Sequence, residues 1–187
     1  MNELLWYLSR ATGVASIVLL TVVLVLGLVT SGRRRPTGES ATVVMAVHRW
    51  LSLGASVFLL THIATAIAET YVSIDLVSAV LPFTSGYEPL WVGFGTLAFD
   101  VLVAVVVTSL LRHRLAERTW RRVHLLSYAL WPLAIVHGLA LGTTGELLLR
   151  GTTLLCAVAG AVALAWRWSA THHDRERRLA VASQEWS

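Results

Sequence analysis

Five long apolar stretches constrain the fold of this chain more than any other feature of its sequence. A helix needs about 20 consecutive apolar residues to cross the hydrocarbon layer of a membrane, and a soluble core does not require runs of that length. The stretches that meet this requirement are approximately Leu5–Thr30, Val43–Ala68, Leu90–Leu111, Val123–Leu141 and Gly151–Trp168. With 56% hydrophobic residues, the chain is predicted to be an all-α, polytopic membrane helix bundle of about five transmembrane helices.

The charges between these stretches indicate how the predicted bundle is oriented. The net charge is +4, but the arginines cluster in short connections, which is typical of the positive-inside rule and does not indicate nucleic-acid binding. The first and third connections and the C-terminal segment carry most of them, whereas the long connection Glu69–Pro89 carries none. We therefore expect the N-terminus outside and the C-terminus in the cytosol, with membrane lipid around the bundle.

The chain divides into a membrane domain, residues 1–168, and a charged cytosolic tail, residues 169–187. The basic cluster Arg33–Arg35 follows the first apolar stretch, which predicts a retained span and not a cleaved signal peptide. A single cysteine, Cys156, excludes an internal disulfide, and we expect it to pack in a span. In the long connection, Ile74–Leu81 followed by Pro82 predicts a short interfacial helix and a turn.

Four of the seven histidines fall inside predicted spans, and these carry the candidate chemistry. An ionisable side chain in hydrocarbon is costly, so it needs a partner and has a function by default. The alternative is that each imidazole only packs, hydrogen-bonded to a carbonyl or hydroxyl of a neighbouring helix. The four are His48 and His62 on the second span, and His124 and His137 on the fourth. The others are predicted to be solvated in the inner loop and tail: His113, His172 and His173.

The spacing of the four histidines predicts that they meet in pairs. His48 and His62 are separated by about 21 Å along a helix axis, and His124 and His137 by about 20 Å. Both spans run from inside to outside, so His48 is level with His124, and His62 with His137. Two imidazoles facing each other on separate helices can supply both axial ligands of a haem iron. The pattern predicts two haems stacked across the bilayer in a four-helix core.

One geometric difficulty concerns the fourth span. Positions thirteen residues apart, such as His124 and His137, point about 140° away from each other in a straight helix. Pro132 lies between them, and we expect it to kink the span and reduce this angle.

The histidine pattern resembles that of the ferric reductase-like transmembrane domain family. This family includes ferric-chelate reductases, NADPH oxidases and the haem subunit of the periplasmic methionine sulfoxide reductase system. The segments LWYLSRATG and TWRRVHLLSYALWPLAIVHGLALGT also resemble it, and the similarity extends from Leu5 to Trp168. The resemblance implies two b-type haems, an inner one on His48 and His124 and an outer one on His62 and His137. Small bacterial members are the most similar, which implies a bacterial inner membrane.

This sequence departs from many family members in two respects. It has about five predicted spans where many members have six, and the residues after Trp168 are too few for us to expect that they fold as a flavin or nicotinamide domain. We therefore expect electrons to come from quinol or from a separate flavoprotein reductase.

Several charged residues are candidates for supporting roles. Arg49 and Arg121 lie beside the inner histidines, with Arg122 next to them, and could bind haem propionates or merely set topology. Arg10 is the favoured propionate partner at the outer end. Asp100, deep in the third span, either relays protons or is a structural group.

The predicted function is dihaem transmembrane electron transfer from the cytosolic or quinone side to an outside acceptor. That acceptor could be a partner redox protein, ferric iron or oxygen, and the chain would be an oxidoreductase component that needs a separate donor. One alternative is direct reduction of ferric chelates at the outer haem, although the outer loops hold mostly acidic residues, which favours a protein partner. Another is a haem-free scaffold or transporter. No dinucleotide-binding, phosphate-loop or HExxH motif is present.

Overall fold

The computed structural model describes residues 2–31, 37–69, 72, 74–142 and 145–184, with side chains described from residue 3 to residue 170. Within these ranges every regular element is helical, and the helices are α1 (Asn2–Thr30), α2 (Gly38–Ala68), α3 (Pro89–Leu110), α4 (Glu117–Leu125), α5 (Ser127–Leu141) and α6 (Leu147–Gln184). A 3₁₀ turn over Arg112–Arg114 joins α3 to α4. The predicted arginine cluster at 33–35 and the side chains of His172 and His173 lie outside the described residues.

Among the described residues, five helical segments are long and apolar enough to cross a membrane: Glu3–Thr30, Gly38–Ala68, Pro89–Leu110, Glu117–Leu141 and Leu147–Ala170. The predicted fold class is therefore confirmed, and the chain is a multi-pass membrane protein. The helix ends differ from the predicted ones by a few residues, since α2 begins at Gly38 and α6 at Leu147. The predicted tail is also helical, because α6 continues without interruption to Gln184.

Successive spans are antiparallel, so the bundle has two distinct ends. We call one the loop end, where Glu69 and the segment 74–88 lie, and the other the arginine end, where α3 meets α4. Contacts at the arginine end join distant parts of the chain. Trp120 Nε1 lies 3.4 Å from Ser109 Oγ, and the Arg167 guanidinium donates to the Ser31 carbonyl at 3.1 Å.

α1 packs against α2, α5 and α6 and so forms the centre of the bundle. One buried cluster joins α1, α5 and α6 and includes the free thiol of Cys156. A second cluster joins α1, α2, α3 and α5 around Ala55. In the first cluster, the indole N–H of Trp131 donates to Thr21 Oγ1 at 3.0 Å, which satisfies both polar groups inside the bundle. Many large apolar side chains face outward, as expected where lipid is the solvent.

The fourth span is broken at Leu126, six residues before Pro132. Leu126 N–H donates to the Val123 carbonyl at 2.9 Å, and Ala129 N–H donates to the Leu126 carbonyl at 2.9 Å. These are the shorter i to i+3 bonds of a 3₁₀ turn, in which each residue advances about 120° in place of about 100°. Each residue in such a turn recovers roughly 20° of the mismatch between the two histidines. Pro132 itself lies inside α5, and its ring crowds the carbonyl four residues earlier, just beyond the break.

The segment 74–88 folds over the loop end. Thr96 Oγ1 donates to the Ser78 carbonyl at 2.7 Å, and Phe83 packs where Gly93 has no side chain. The segment is built from turns, so the short helix predicted for 74–81 does not form. Asp75 accepts hydrogen bonds from the Ser78 N–H and hydroxyl, which hold the pKa of its carboxyl below the ordinary value.

Candidate functional site

The histidine pair nearest the loop end is His62 on α2 and His137 on α5. Their ring centroids are 6.2 Å apart, with an angle of 82° between the ring planes. His62 Nδ1 lies 2.7 Å from the Ser9 carbonyl oxygen, and His137 Nδ1 lies 2.9 Å from the Trp91 carbonyl oxygen. A carbonyl only accepts hydrogen bonds, so Nδ1 carries the proton on both rings and Nε2 keeps a free lone pair.

Two glycines create the space for these rings. A Cβ at Gly13 would lie 3.0 Å from His62 Nδ1, and a Cβ at Gly95 would lie 2.5 Å from His137 Nδ1. Each histidine thus packs against bare backbone of a neighbouring span, one helical turn along that span from the carbonyl that orients it. α1 and α3 therefore fix the positions of rings that belong to α2 and α5.

The second pair is His48 on α2 and His124 on α4, toward the arginine end. Their ring centroids are 6.4 Å apart, with 51° between the planes. Both Nδ1 atoms are buried and have no hydrogen-bond partner among the described residues. No described protein group therefore orients the Nδ1 atom of either ring by a hydrogen bond.

Trp120 and Arg112 build a stack on the second pair. The ring centroids of Trp120 and His124, both on α4, lie 5.0 Å apart with an angle of 25° between the ring planes. The Arg112 guanidinium lies 4.4 Å from the centroid of the Trp120 indole. A guanidinium over an indole face is a cation–π contact, which holds the indole against the histidine. This stack limits the orientations that the His124 ring can adopt.

Two imidazole ligands from the protein, which is what each pair offers, suit haem iron better than a bare metal ion. Among the described residues, no group of three or more potential metal-ligating side chains occurs. Protein zinc sites use three or four protein ligands, whereas haem iron needs only axial ligands because the porphyrin supplies the rest. An imidazole nitrogen binds a first-row metal at about 2.0 Å and lies about 1.2 Å from its ring centre, so rings on opposite sides of one metal have centres about 6.4 Å apart. The observed separations of 6.2 and 6.4 Å fit this value.

Comparison with known proteins identifies the family. Residues 12–135 match the family described as ferric reductase-like transmembrane component. This chain belongs to that family. The matched region contains His48, His62 and His124 and ends two residues before His137. No curated protein and no solved structure matches the chain.

Ferric reductase-like transmembrane domains generally bind haem, and membership suggests electron transfer across the membrane. One cavity at the loop end is lined by both His62 and His137 and extends between α1, α2, α3 and α5 to the covering segment. Its walls are largely apolar, with Leu20, Leu59 and Leu130 among them. Such walls exclude water from the space beside the two rings.

Charged residues gather at the loop end of the same cavity. Arg10, Arg150 and the buried Glu69 all line it. The Arg10 guanidinium donates to the Leu141 carbonyl at 3.1 Å and lies 4.5 Å from the Trp6 ring centroid. Its Nε is buried without a partner among the described residues. Arg10 therefore lines the cavity with a guanidinium whose Nε donor has no partner among the described residues.

At the arginine end, the two arginines predicted to bind haem propionates, Arg49 and Arg121, do not line the loop-end cavity and are exposed. Arg121 is mostly exposed and forms an ion pair with Glu117 at 2.8 Å, and Arg49 is exposed on α2. The arginine that stacks toward His124 is Arg112, which sequence reasoning assigned only to topology. Gly13 and Gly95 were also missed, although glycines in apolar spans are a usable signal of close approach. At Gly54, which lies between His48 and His62 in the sequence, an added Cβ would meet only Leu19 Cδ1, at 3.8 Å.

Proposed function

We propose that this chain carries electrons across the membrane between two b-type haems. His48 and His124 would hold one haem, and His62 and His137 the other. The observation that carries the proposal is the presence of two separate imidazole pairs, each at the separation of bis-imidazole ligation, with no third ligating side chain beside either pair among the described residues. A bound haem supplies a one-electron couple at its iron.

The groups around the loop-end pair favour ligation through Nε2. Carbonyl oxygens of Ser9 and Trp91 accept from Nδ1–H, which fixes the tautomer and raises the basicity of the other nitrogen. Arg10 would pair with a haem propionate through its guanidinium, with Arg150 close to the same cavity end. The apolar walls would keep water from the ligated rings.

At the arginine end, Trp120 would hold the His124 ring in position. Arg49, Arg121 and Arg112 are the candidates for propionate contacts there. Arg121 would have to leave Glu117, an exposed i, i+4 ion pair worth only about 0.3–0.5 kcal/mol.

We propose that the arginine end faces the cytosol of a bacterial cell and the loop end faces outward. The N-terminus would then be outside and the C-terminus inside. Quinol or a separate flavoprotein reductase would deliver electrons at the inner side. A partner redox protein is the favoured acceptor, because the segment 74–88 carries acidic and no basic residues. Ferric iron or oxygen would be alternative acceptors, and reduction of anionic ferric chelates would require a basic outer surface.

Haem counting in histidine variants tests the pairing. We expect wild-type protein purified from membranes to hold two haems per chain, and His62→Ala or His137→Ala to hold one. The double variant His62→Ala with His137→Ala should also hold one, because both changes remove the same site. Combining His62→Ala with His48→Ala should remove both haems, and His113→Ala serves as the control that retains two.

The counts also distinguish the competing functions. A haem-free scaffold or transporter would give no haem bands in any variant. Loss of two haems in the His62→Ala, His137→Ala double variant, with one lost in each single variant, would contradict the assignment of these residues to one site.

A further inference from the structure

The segment 74–88 is turned inside out relative to a loop in water. Three of its large apolar side chains, Leu76, Val80 and Leu81, have exposed fractions of 73%, 61% and 55%, and we call this set the apolar edge. The hydroxyl residues Ser78 and Ser85 are instead buried. Single apolar side chains are common at an aqueous surface, but an exposed apolar patch around buried polar residues marks contact with something other than water.

Backbone groups of the segment find partners within it. Leu81 N–H donates to the Val77 carbonyl at 2.7 Å, and Thr84 Oγ1 donates to the Leu81 carbonyl at 2.7 Å. Ser85 Oγ donates to the Tyr87 carbonyl at 2.8 Å. In hydrocarbon a backbone polar group needs a partner from the protein, because water is absent. These bonds supply such partners without a helix.

Contacts with α3 place part of the segment well inside the end of the bundle. The Ser78 carbonyl accepts the hydrogen bond from Thr96, and Thr96 adjoins Gly95, against which one ring of the loop-end histidine pair packs. Ser78 is therefore level with that pair. The other ring of the pair belongs to His62, which lies six residues before the end of α2. Ser78 thus lies about 9 Å inside the end of α2.

The charged residues of α2 locate the hydrocarbon layer. Arg49 and Glu69 are twenty residues apart, with no acidic residue and no arginine between them, and this separation is about 30 Å along a helix axis, the thickness of the layer. The loop-end edge of the layer therefore lies near Glu69, and Ser78 lies below it. The charges of the segment agree with this depth, because none occurs between Asp75 and Glu88.

Only one side of the segment faces the protein. Ile74, Ser78, Ala79 and Tyr87 line the loop-end cavity, so this side forms part of the cavity wall. The apolar edge lies on the exposed side. At the same depth on α2, Leu60 is exposed as well, as is typical of the lipid-facing surface of a membrane protein. The apolar edge thus has the depth and the chemistry of that surface.

We propose that residues 76–83 are embedded in the loop-end leaflet of the membrane, with the apolar edge in contact with lipid acyl chains. The segment then separates the loop-end cavity from lipid and not from water. A partner from the aqueous phase would reach the cavity at the rim that carries Arg10 and Arg150, and not across the segment. This contact with lipid does not depend on haem binding.

Photo-cross-linking in lipid nanodiscs tests what the apolar edge touches. Benzoylphenylalanine in place of Val80 reacts with nearby C–H bonds, and we expect chains that carry the added mass of one phospholipid. The same replacement at Leu60 is the lipid-facing control. Ser40, exposed on α2 about 13 Å beyond Arg49, provides the water-facing control. A lipid adduct at position 80 as rare as at position 40, or cross-links from position 80 to protein alone, would overturn the proposal.

Thiol labelling measures how far water reaches the same position. In a Cys156→Ala background, Val80→Cys should react with a charged, membrane-impermeant maleimide more than about tenfold more slowly than Ser40→Cys, because hydrocarbon excludes both the reagent and the thiolate. Leu60→Cys should react as slowly as Val80→Cys. Equal rates for Val80→Cys and Ser40→Cys would contradict the proposal. Haem content of the same samples tests the proposed function separately, and their elution profiles show whether each variant is folded.

Discussion

The contact between Gly95 and His137 gives the sharpest test of how the bundle positions its histidines. An added Cβ at residue 95 would lie 2.5 Å from His137 Nδ1 and 2.6 Å from Cε1. An ordinary carbon contact needs about 3.4 Å or more, so in Gly95→Ala the ring must move by almost 1 Å. That movement stretches or breaks the 2.9 Å hydrogen bond to the Trp91 carbonyl.

The size of the effect follows from this displacement. Loss of an outer-shell hydrogen bond to a ligating histidine lowers metal affinity by about 10- to 100-fold. Alanine is favoured over glycine inside a helix by about 1 kcal/mol, so the substitution does not weaken α3 itself. We therefore expect Gly95→Ala to fold and to lose haem selectively from the loop-end site.

The assay is haem quantitation with the reduced spectrum of purified protein. Gly54→Ala is the control, since a Cβ there would meet only Leu19 Cδ1 at 3.8 Å. We expect Gly54→Ala to keep two haems and Gly95→Ala to keep nearer one. If both variants hold the same haem content and give the same spectrum, the reasoning about the fit of His137 is refuted.

Three further predictions address the core, the electrostatics and the covering segment. Trp131→Phe should lower the free energy of unfolding by about 1 kcal/mol through loss of the hydrogen bond to Thr21. Adding Thr21→Val to this variant should not lower the free energy of unfolding further. Full additivity of the two changes in a thermal-unfolding cycle would argue against that bond. In a redox titration, Arg10→Gln should lower the reduction potential of the loop-end haem by tens of millivolts, because a nearby positive charge favours the reduced form. An equal shift of this potential in Arg49→Gln would indicate a nonspecific effect. The pKa of Asp75 is held down by Ser78, so its contribution to the segment 74–88 is present above the ordinary carboxyl pKa and is lost as pH falls through the lower folded value. The protection factors of amides in this segment, corrected for the intrinsic exchange rate at each pH, should therefore fall in acid for the wild type. In Asp75→Asn they should already be low at neutral pH, and pH-independent protection factors in the wild type would be the contrary result.

The spans and the pairing of the histidine rings could be predicted from the sequence because both follow from helix geometry. A run of about 20 apolar residues has one stable form in a bilayer. Positions fourteen residues apart return to nearly the same helix face, so His48 and His62 were expected on one side of their span. The rings that meet, His48 with His124 and His62 with His137, are those that matched depths predicted.

The remaining features depend on contacts between helices, which a single sequence does not specify. Pro132 indicated a distortion, but where the helix broke depended on its surroundings, and the break lies at Leu126. The carbonyls of Ser9 and Trp91 carry no sequence signal, because every residue has a carbonyl. The role of Arg112 depends on the 3₁₀ turn that brings it over Trp120. The short helix predicted for residues 74–81 rested on the apolar composition of that stretch, and composition alone does not distinguish a short helix from apolar turns.

The central claim is that each histidine pair ligates one haem iron. Electron paramagnetic resonance of the oxidised, purified protein, combined with iron and protein quantitation, tests it most directly. We predict two low-spin ferric signals typical of bis-imidazole ligation, at two haems per chain. A high-spin signal at full haem content, or a stoichiometry that stays at one or zero under haem-replete expression, would contradict the account.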